Sequence, residues 1–116
     1  MTTESVLQHH LQCFGAGDLN GIISDYAEKS VLFTPNGVLP GTRAIREFFV
    51  GMFAELAKPG ASTQMLRQDV DGEIAYLVWK GRTADNDYEL GTETLVVRGD
   101  KIEAQTVAYK VVPRKA

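Results

Sequence analysis

The second half of the chain constrains its fold most. Four strand-like runs, Thr63–Val70, Glu73–Thr83, Tyr88–Arg98 and Ile102–Val112, follow one another with little between them. Asp71-Gly72 and Gly99-Asp100-Lys101 are tight-turn signals, and a polar loop, Ala84–Asp87, separates the middle pair. Asp-Gly beside apolar runs signals a hairpin. Connections this short join antiparallel neighbours, because a parallel pair needs a long crossover. The four runs are therefore expected to form an antiparallel meander.

The first half reads helical. Val6, Leu7, His10, Leu11 and Phe14 recur at helical spacing, with Thr3 expected as the cap and Gly15 and Gly17 as the end. Asp18 is placed to cap a short second helix whose apolar positions are Leu19, Ile22, Ile23 and Tyr26, with Asp25 and Glu28 at its exposed end. Strand character follows at Ser30–Thr34, and Pro35-Asn36-Gly37 is a turn signal. A short run from Val38 to Pro40 leads to Thr42, the expected N-cap of the clearest helix. Its apolar stripe is Ile45, Phe48, Phe49, Met52, Phe53 and Leu56, and Lys58-Pro59-Gly60 stops it. Helices segregated from a run of antiparallel strands define an α+β layer fold. At 116 residues this is expected to be one domain, 1–116. A greasy helix wrapped by a twisted sheet leaves room for a cavity, the default place for a ligand.

Composition narrows the function classes. The net charge is −3 and no basic patch stands out, which argues against nucleic acid as a partner. Cys13 is the only cysteine, so neither an intrachain disulfide nor a cysteine-based zinc motif is available. Adjacent His9 and His10 cannot both face one ion from a helix, and no metal-ligand spacing or phosphate-binding glycine loop is present. No metal and no cofactor are expected. No apolar run approaches the roughly 20 residues that span a bilayer. The start "MTTESVLQHH" has no basic, apolar leader pattern. A cytoplasmic protein with no membrane partner is the expectation.

Two residues stand out for chemistry. His10 lies on the inward stripe of the first helix, while His9 is turned about 100° from it toward the edge. An inward imidazole can donate a hydrogen bond or shuttle a proton, or be a core histidine satisfied by one partner. Glu93 shares a face with Leu95 and Val97, but the other face (Thr92, Thr94, Val96) is also half apolar, so the phase stays open. If inward, burial raises its pKa and a charged His10 beside it would lower it. Tyr76 and Val78 alternate onto one face, as do Gln105, Val107 and Tyr109, while Leu77 and Trp79 take the opposite face.

Three stretches, "AGDLNGI" (Ala16–Ile22), "SVLFTPNG" (Ser30–Gly37) and "PGTRAIREFF" (Pro40–Phe49), followed by the four-strand ending, resemble the nuclear transport factor 2-like superfamily. The resemblance is to its SnoaL-like, ketosteroid isomerase-like branch. It implies a cystatin-like cone: three N-terminal helices packed on a strongly curved, mixed but mostly antiparallel sheet that encloses a pocket. It implies homodimers packed through their sheets, and activities ranging over isomerases, cyclases, dehydratases and epoxide hydrolases.

In the isomerase branch a carboxylate just before the turn proline is the base, and that position here is Thr34, a hydroxyl with no useful basicity. His10 falls where the branch has a hydroxyl donor, and Glu93 near its second acid. By this resemblance the ligand-binding residues are Phe14, Phe49, Met52 and Phe53 from the helices and Thr34 at the turn. The strands add Tyr76, Val78, Leu95, Gln105, Val107 and Tyr109. Leu77 and Trp79 are left for a dimer interface. The reading that follows is a pocket protein for a small apolar or aromatic molecule. The alternatives are an isomerase, cyclase or dehydratase using His10 and Glu93, and a homodimeric association module without chemistry.

Overall fold

The meander is present, and two further strands extend it into a six-stranded sheet. The computed structural model describes residues 2–115. The elements are α1 (Thr3–Ala16), α2 (Leu19–Ile23), β1 (Tyr26–Thr34), β2 (Gly37–Pro40), α3 (Gly41–Leu56), β3 (Ser62–Asp71), β4 (Ile74–Arg82), β5 (Asn86–Arg98) and β6 (Lys101–Pro113). The strand order is β2-β1-β6-β5-β4-β3. Every pairing is antiparallel except β1 with β6, which is parallel and makes the sheet mixed. Leu66 in β3 and Glu89 in β5 are extra residues in their registers. Such bulges bend a sheet and increase its twist, which curves this one around the helices.

Several local expectations shift by a residue or more, each for a physical reason. The cap of α1 is Thr2, because Ser5 three positions on closes a reciprocal capping box with it. Thr3 instead donates from Oγ1 to the Gly72 carbonyl at 2.7 Å, tying α1 to the β3–β4 turn. Gly17, in the left-handed conformation, ends α1, and Asp18 caps α2 by accepting from Gly21 N–H at 2.9 Å. Tyr26 leaves the helical pattern and opens β1, paired with Ile102 of β6. Pro40, not Thr42, precedes α3 and supplies no side-chain cap. The chain turns into the helix at Gly41, whose positive φ of 85° only glycine takes readily.

The core lies between the concave face of the sheet and the helices. From α1 it takes Val6, Leu7 and Cys13, from α3 Ile45 and Phe49, and from the sheet Leu32, Ala75, Leu77, Leu95, Val97 and Ile102. The C-terminal end of α3 is pinned to the β4–β5 loop and the start of β5 by one carboxylate oxygen. Glu55 Oε2 accepts from Thr83 Oγ1 at 2.7 Å, Tyr88 O–H at 2.8 Å and Asn86 Nδ2 at 3.1 Å.

The phase of β4 is the main correction. Leu77 is fully buried and Trp79 packs on the core, so both point inward rather than toward a partner. Tyr76, 38% exposed, and its neighbour Val78 point out across the convex face. The register explains why: Trp79 stands opposite Gly91 of β5, and the indole lies where a Cβ at Gly91 would be. Gly91→Ala is therefore expected to force the indole aside and cost about 1–3 kcal/mol, the usual price of overpacking. Urea unfolding followed by fluorescence of the single tryptophan measures this. An unchanged midpoint would place Trp79 elsewhere.

Candidate functional site

A cavity of about 300 Å³ opens between α1, α3 and the concave sheet face. Four strands and two helices feed it. Helix α1 contributes His10, Leu11 and Phe14, because positions i and i+4 share one helix face. Phe48, Phe49 and Met52 come from α3. On the sheet side Trp79, Glu93, Gln105, Val107 and Tyr109 alternate inward, joined by Met65 and Gln68 of β3.

The structure therefore brings together most, though not all, of the residues singled out by sequence. His10, Phe14, Phe49, Met52, Glu93, Gln105, Val107 and Tyr109 line the cavity. Phe53 stands beside it, its ring 5.7 Å from Phe14 and 5.8 Å from Phe49, facing an adjoining groove. Leu95 lies in the core beneath the cavity floor. Thr34 sits at the β1–β2 turn, where its Oγ1 donates to the Gly37 carbonyl at 2.9 Å and accepts from Asn36 N–H at 3.2 Å. That hydroxyl is spent on turn geometry. Tyr76 and Val78 are on the other face of the sheet. Trp79, like Leu77, takes the face opposite to the one alternation assigns it, and the lone glycine inside "ELGTETL" is the signal that a large side chain crosses β5 there.

Glu93 ends a buried polar chain. Tyr26 O–H donates to Gln105 Oε1, and Gln105 Nε2 donates to Glu93 Oε1 at 2.7 Å. Gln105 is buried, so its amide orientation is set by the hydroxyl behind it. Burial pushes the Glu93 carboxyl up to about 7; the Gln105 hydrogen bond and, more weakly, the nearby Trp79 indole N–H pull it back. Trp79 Nε1 itself is buried and, among the described residues, makes no hydrogen bond of ordinary geometry.

His10 is 3% exposed, its ring set edge-on to Tyr26 at 6.2 Å and to Phe49 at 6.1 Å. Its Nδ1 is buried and has no hydrogen-bond partner among the described residues. Burial, and then the nearby His9, lower its pKa to about 4, so it is neutral at pH 7. The expected influence of a charged His10 on Glu93 is thus absent, and no hydrogen bond joins the two. His9 points away from the cavity. Its Nδ1 lies 2.7 and 2.9 Å from the two carboxylate oxygens of Asp25, and its Nε2 lies 3.5 Å from Cys13 Sγ. Asp25 is buried rather than exposed at a helix end, and burial raises its pKa against the pull of His9.

A curved six-stranded mixed sheet, three helices on its concave face and a mostly apolar cavity with a few polar groups define a cone-shaped pocket protein. The SnoaL-like domain family matches residues 7–107, and the chain belongs to it. Solved structures show the same fold. An NTF2-like protein of unknown function from Mesorhizobium loti superposes with a TM-score of 0.80 at 18% identity, covering 93% of this chain and 90% of that one. A Kribbella flavida protein provisionally assigned as a ketosteroid isomerase gives 0.76 at 14% identity, over 98% and 82%. The epoxide hydrolase/cyclase-like enzyme SalBIII of pyran ring formation in salinomycin gives 0.78 at 12%, over 93% and 90%. At these identities the likeness is one of fold. Among curated proteins none matches the chain significantly.

The two shifted groups act on stability with opposite signs. His10, lowered from 6.5 to about 4, binds fewer protons in the native than in the unfolded state, so stability rises as pH climbs from 4 to 6.5. Glu93, raised from 4.5 to about 7, binds more, so stability falls from pH 4.5 to 7. In the wild type the slopes offset each other between pH 4.5 and 6.5. Glu93→Gln should leave a rising profile and His10→Gln a falling one, measured by denaturant unfolding at each pH. Variant profiles parallel to wild type would show that these groups do not titrate in the cavity.

Proposed function

We propose that this chain is a ligand-binding SnoaL-like protein whose cavity takes a small, largely apolar or aromatic molecule. The observation that carries the reading is a pair of buried polar atoms that make no hydrogen bond of ordinary geometry among the described residues, His10 Nδ1 and Trp79 Nε1, both on residues lining the same apolar cavity. Unpaired buried polar groups are costly, and a ligand bearing matching polar atoms would satisfy them. A volume of about 300 Å³ suits a molecule of one to three rings. Trp79 is the only tryptophan, so binding should change its emission directly. A screen of bicyclic and tricyclic compounds should yield saturable fluorescence changes with matching rises in Tm. Enlarging Met52 to Trp should abolish both by filling the cavity. Compounds that bind equally well to that variant would move the site elsewhere.

A second reading is acid–base catalysis of the isomerase, cyclase or dehydratase kind, favoured by a cavity carboxyl poised near pH 7. Glu93 would move the proton and neutral His10 would hold a substrate oxygen, with Thr34 taking no part. In both readings the protein is cytoplasmic and works as a homodimer through the convex sheet face. There the cross-strand rows Tyr76–Thr94–Thr106 and Val78–Thr92–Ala108 carry no charge. A Tyr76→Lys variant should halve the mass seen by analytical ultracentrifugation, and an unchanged mass would exclude this face.

A further inference from the structure

The cavity wall is electrostatically one-sided. No lysine or arginine lines it, and its titratable groups are His10 from α1, Glu93 from β5 and Tyr109 from β6, with Tyr26 of β1 behind Gln105. The side chains that α3, β3 and β4 turn into the cavity are apolar or neutral, among them Phe49, Met52, Met65, Gln68 and Trp79. Burial holds both tyrosines above their ordinary range and His10 below its own, so all three are neutral at pH 7. When Glu93 ionises, it is the one formal charge on the wall.

Among the described residues no cationic side chain lines the cavity with it. The groups that meet it among the described residues are neutral: the Gln105 amide, whose oxygen Tyr26 occupies, and the nearby Trp79 indole N–H. Buried carboxylates are rare unless paired. The Trp79, Tyr109 and Phe49 rings line the same cavity, and aromatic faces attract cations. We infer that the ligand of this cavity is an amine, an ammonium group on an aromatic or alicyclic body, with the ammonium seated on Glu93. This rests on the pocket-binding reading above and adds the charge class of the ligand. An acidic ligand would meet only repulsion at Glu93. A neutral carbonyl ligand would require Glu93 in its protonated form.

Those alternatives differ in the sign of their pH dependence. An ammonium pairs with ionised Glu93, so its affinity should rise about tenfold per pH unit up to about pH 7 and level off above. The test uses three probes of one shape, 2-naphthylmethylamine, 2-naphthalenemethanol and 2-naphthoate, titrated by calorimetry between pH 5.5 and 8. The expected result is that the amine binds at least tenfold tighter than the alcohol at pH 8. That advantage should shrink toward pH 5.5 and vanish in Glu93→Gln. Alcohol or naphthoate binding as tightly as the amine at pH 8 would overturn the inference and leave the pocket reading standing. If none of the three binds, both fall. The wild-type pH series decides the matter even if the variant folds poorly.

Discussion

The parallel seam between β1 and β6 is the constraint on which the rest depends. It joins the helical first half of the chain to the meander, two parts that their own local patterns do not connect. Backbone pairing there is reinforced from both sides. Ile102 N–H donates to the Asp25 carbonyl at 2.7 Å, Ser30 Oγ donates to the Ile102 carbonyl at 2.7 Å, and Lys101 Nζ reaches the Ser24 carbonyl at 2.6 Å. The seam carries α2 and α3 onto the concave face. It also sets Tyr26 beside Gln105, so the polar chain that ends at Glu93 exists only because β1 pairs with β6.

Desolvation then decides what the cavity can do. The same removal from water pushes His10 and Glu93 toward their neutral forms, by lowering one pKa and raising the other. Both groups therefore remain largely uncharged near pH 6. The family's usual base position has gone to turn geometry at Thr34, and the one carboxyl in the cavity enters from a different strand. The ligand-binding and acid–base proposals therefore both turn on Glu93.

Much of the helical half was legible from residues alone. The α1 stripe placed His10 inward and His9 at the edge, because a helix has one narrow apolar face and polar residues mark its other side. The strands were harder. In β4 both faces are apolar, Ala75, Leu77 and Trp79 on one and Ile74, Tyr76 and Val78 on the other, so a period of two gives the alternation but not its phase. Asp25 escapes the sequence pattern for a related reason. Its burial and its bond to His9 come from a helix–strand junction that no periodicity describes.

By itself the sequence determined the order of helices and strands, the hairpin turns, the antiparallel meander and the inward set of α1. All of these follow from local backbone preference and short-range alternation. The tertiary structure decided the parallel β1–β6 seam, the inward phase of Trp79 and the environment of Glu93. Each depends on contacts between residues far apart in the chain: Tyr26 with Gln105, and Trp79 with Gly91. Local periodicity carries no information about which distant strand arrives alongside, or about how much water is left when it does.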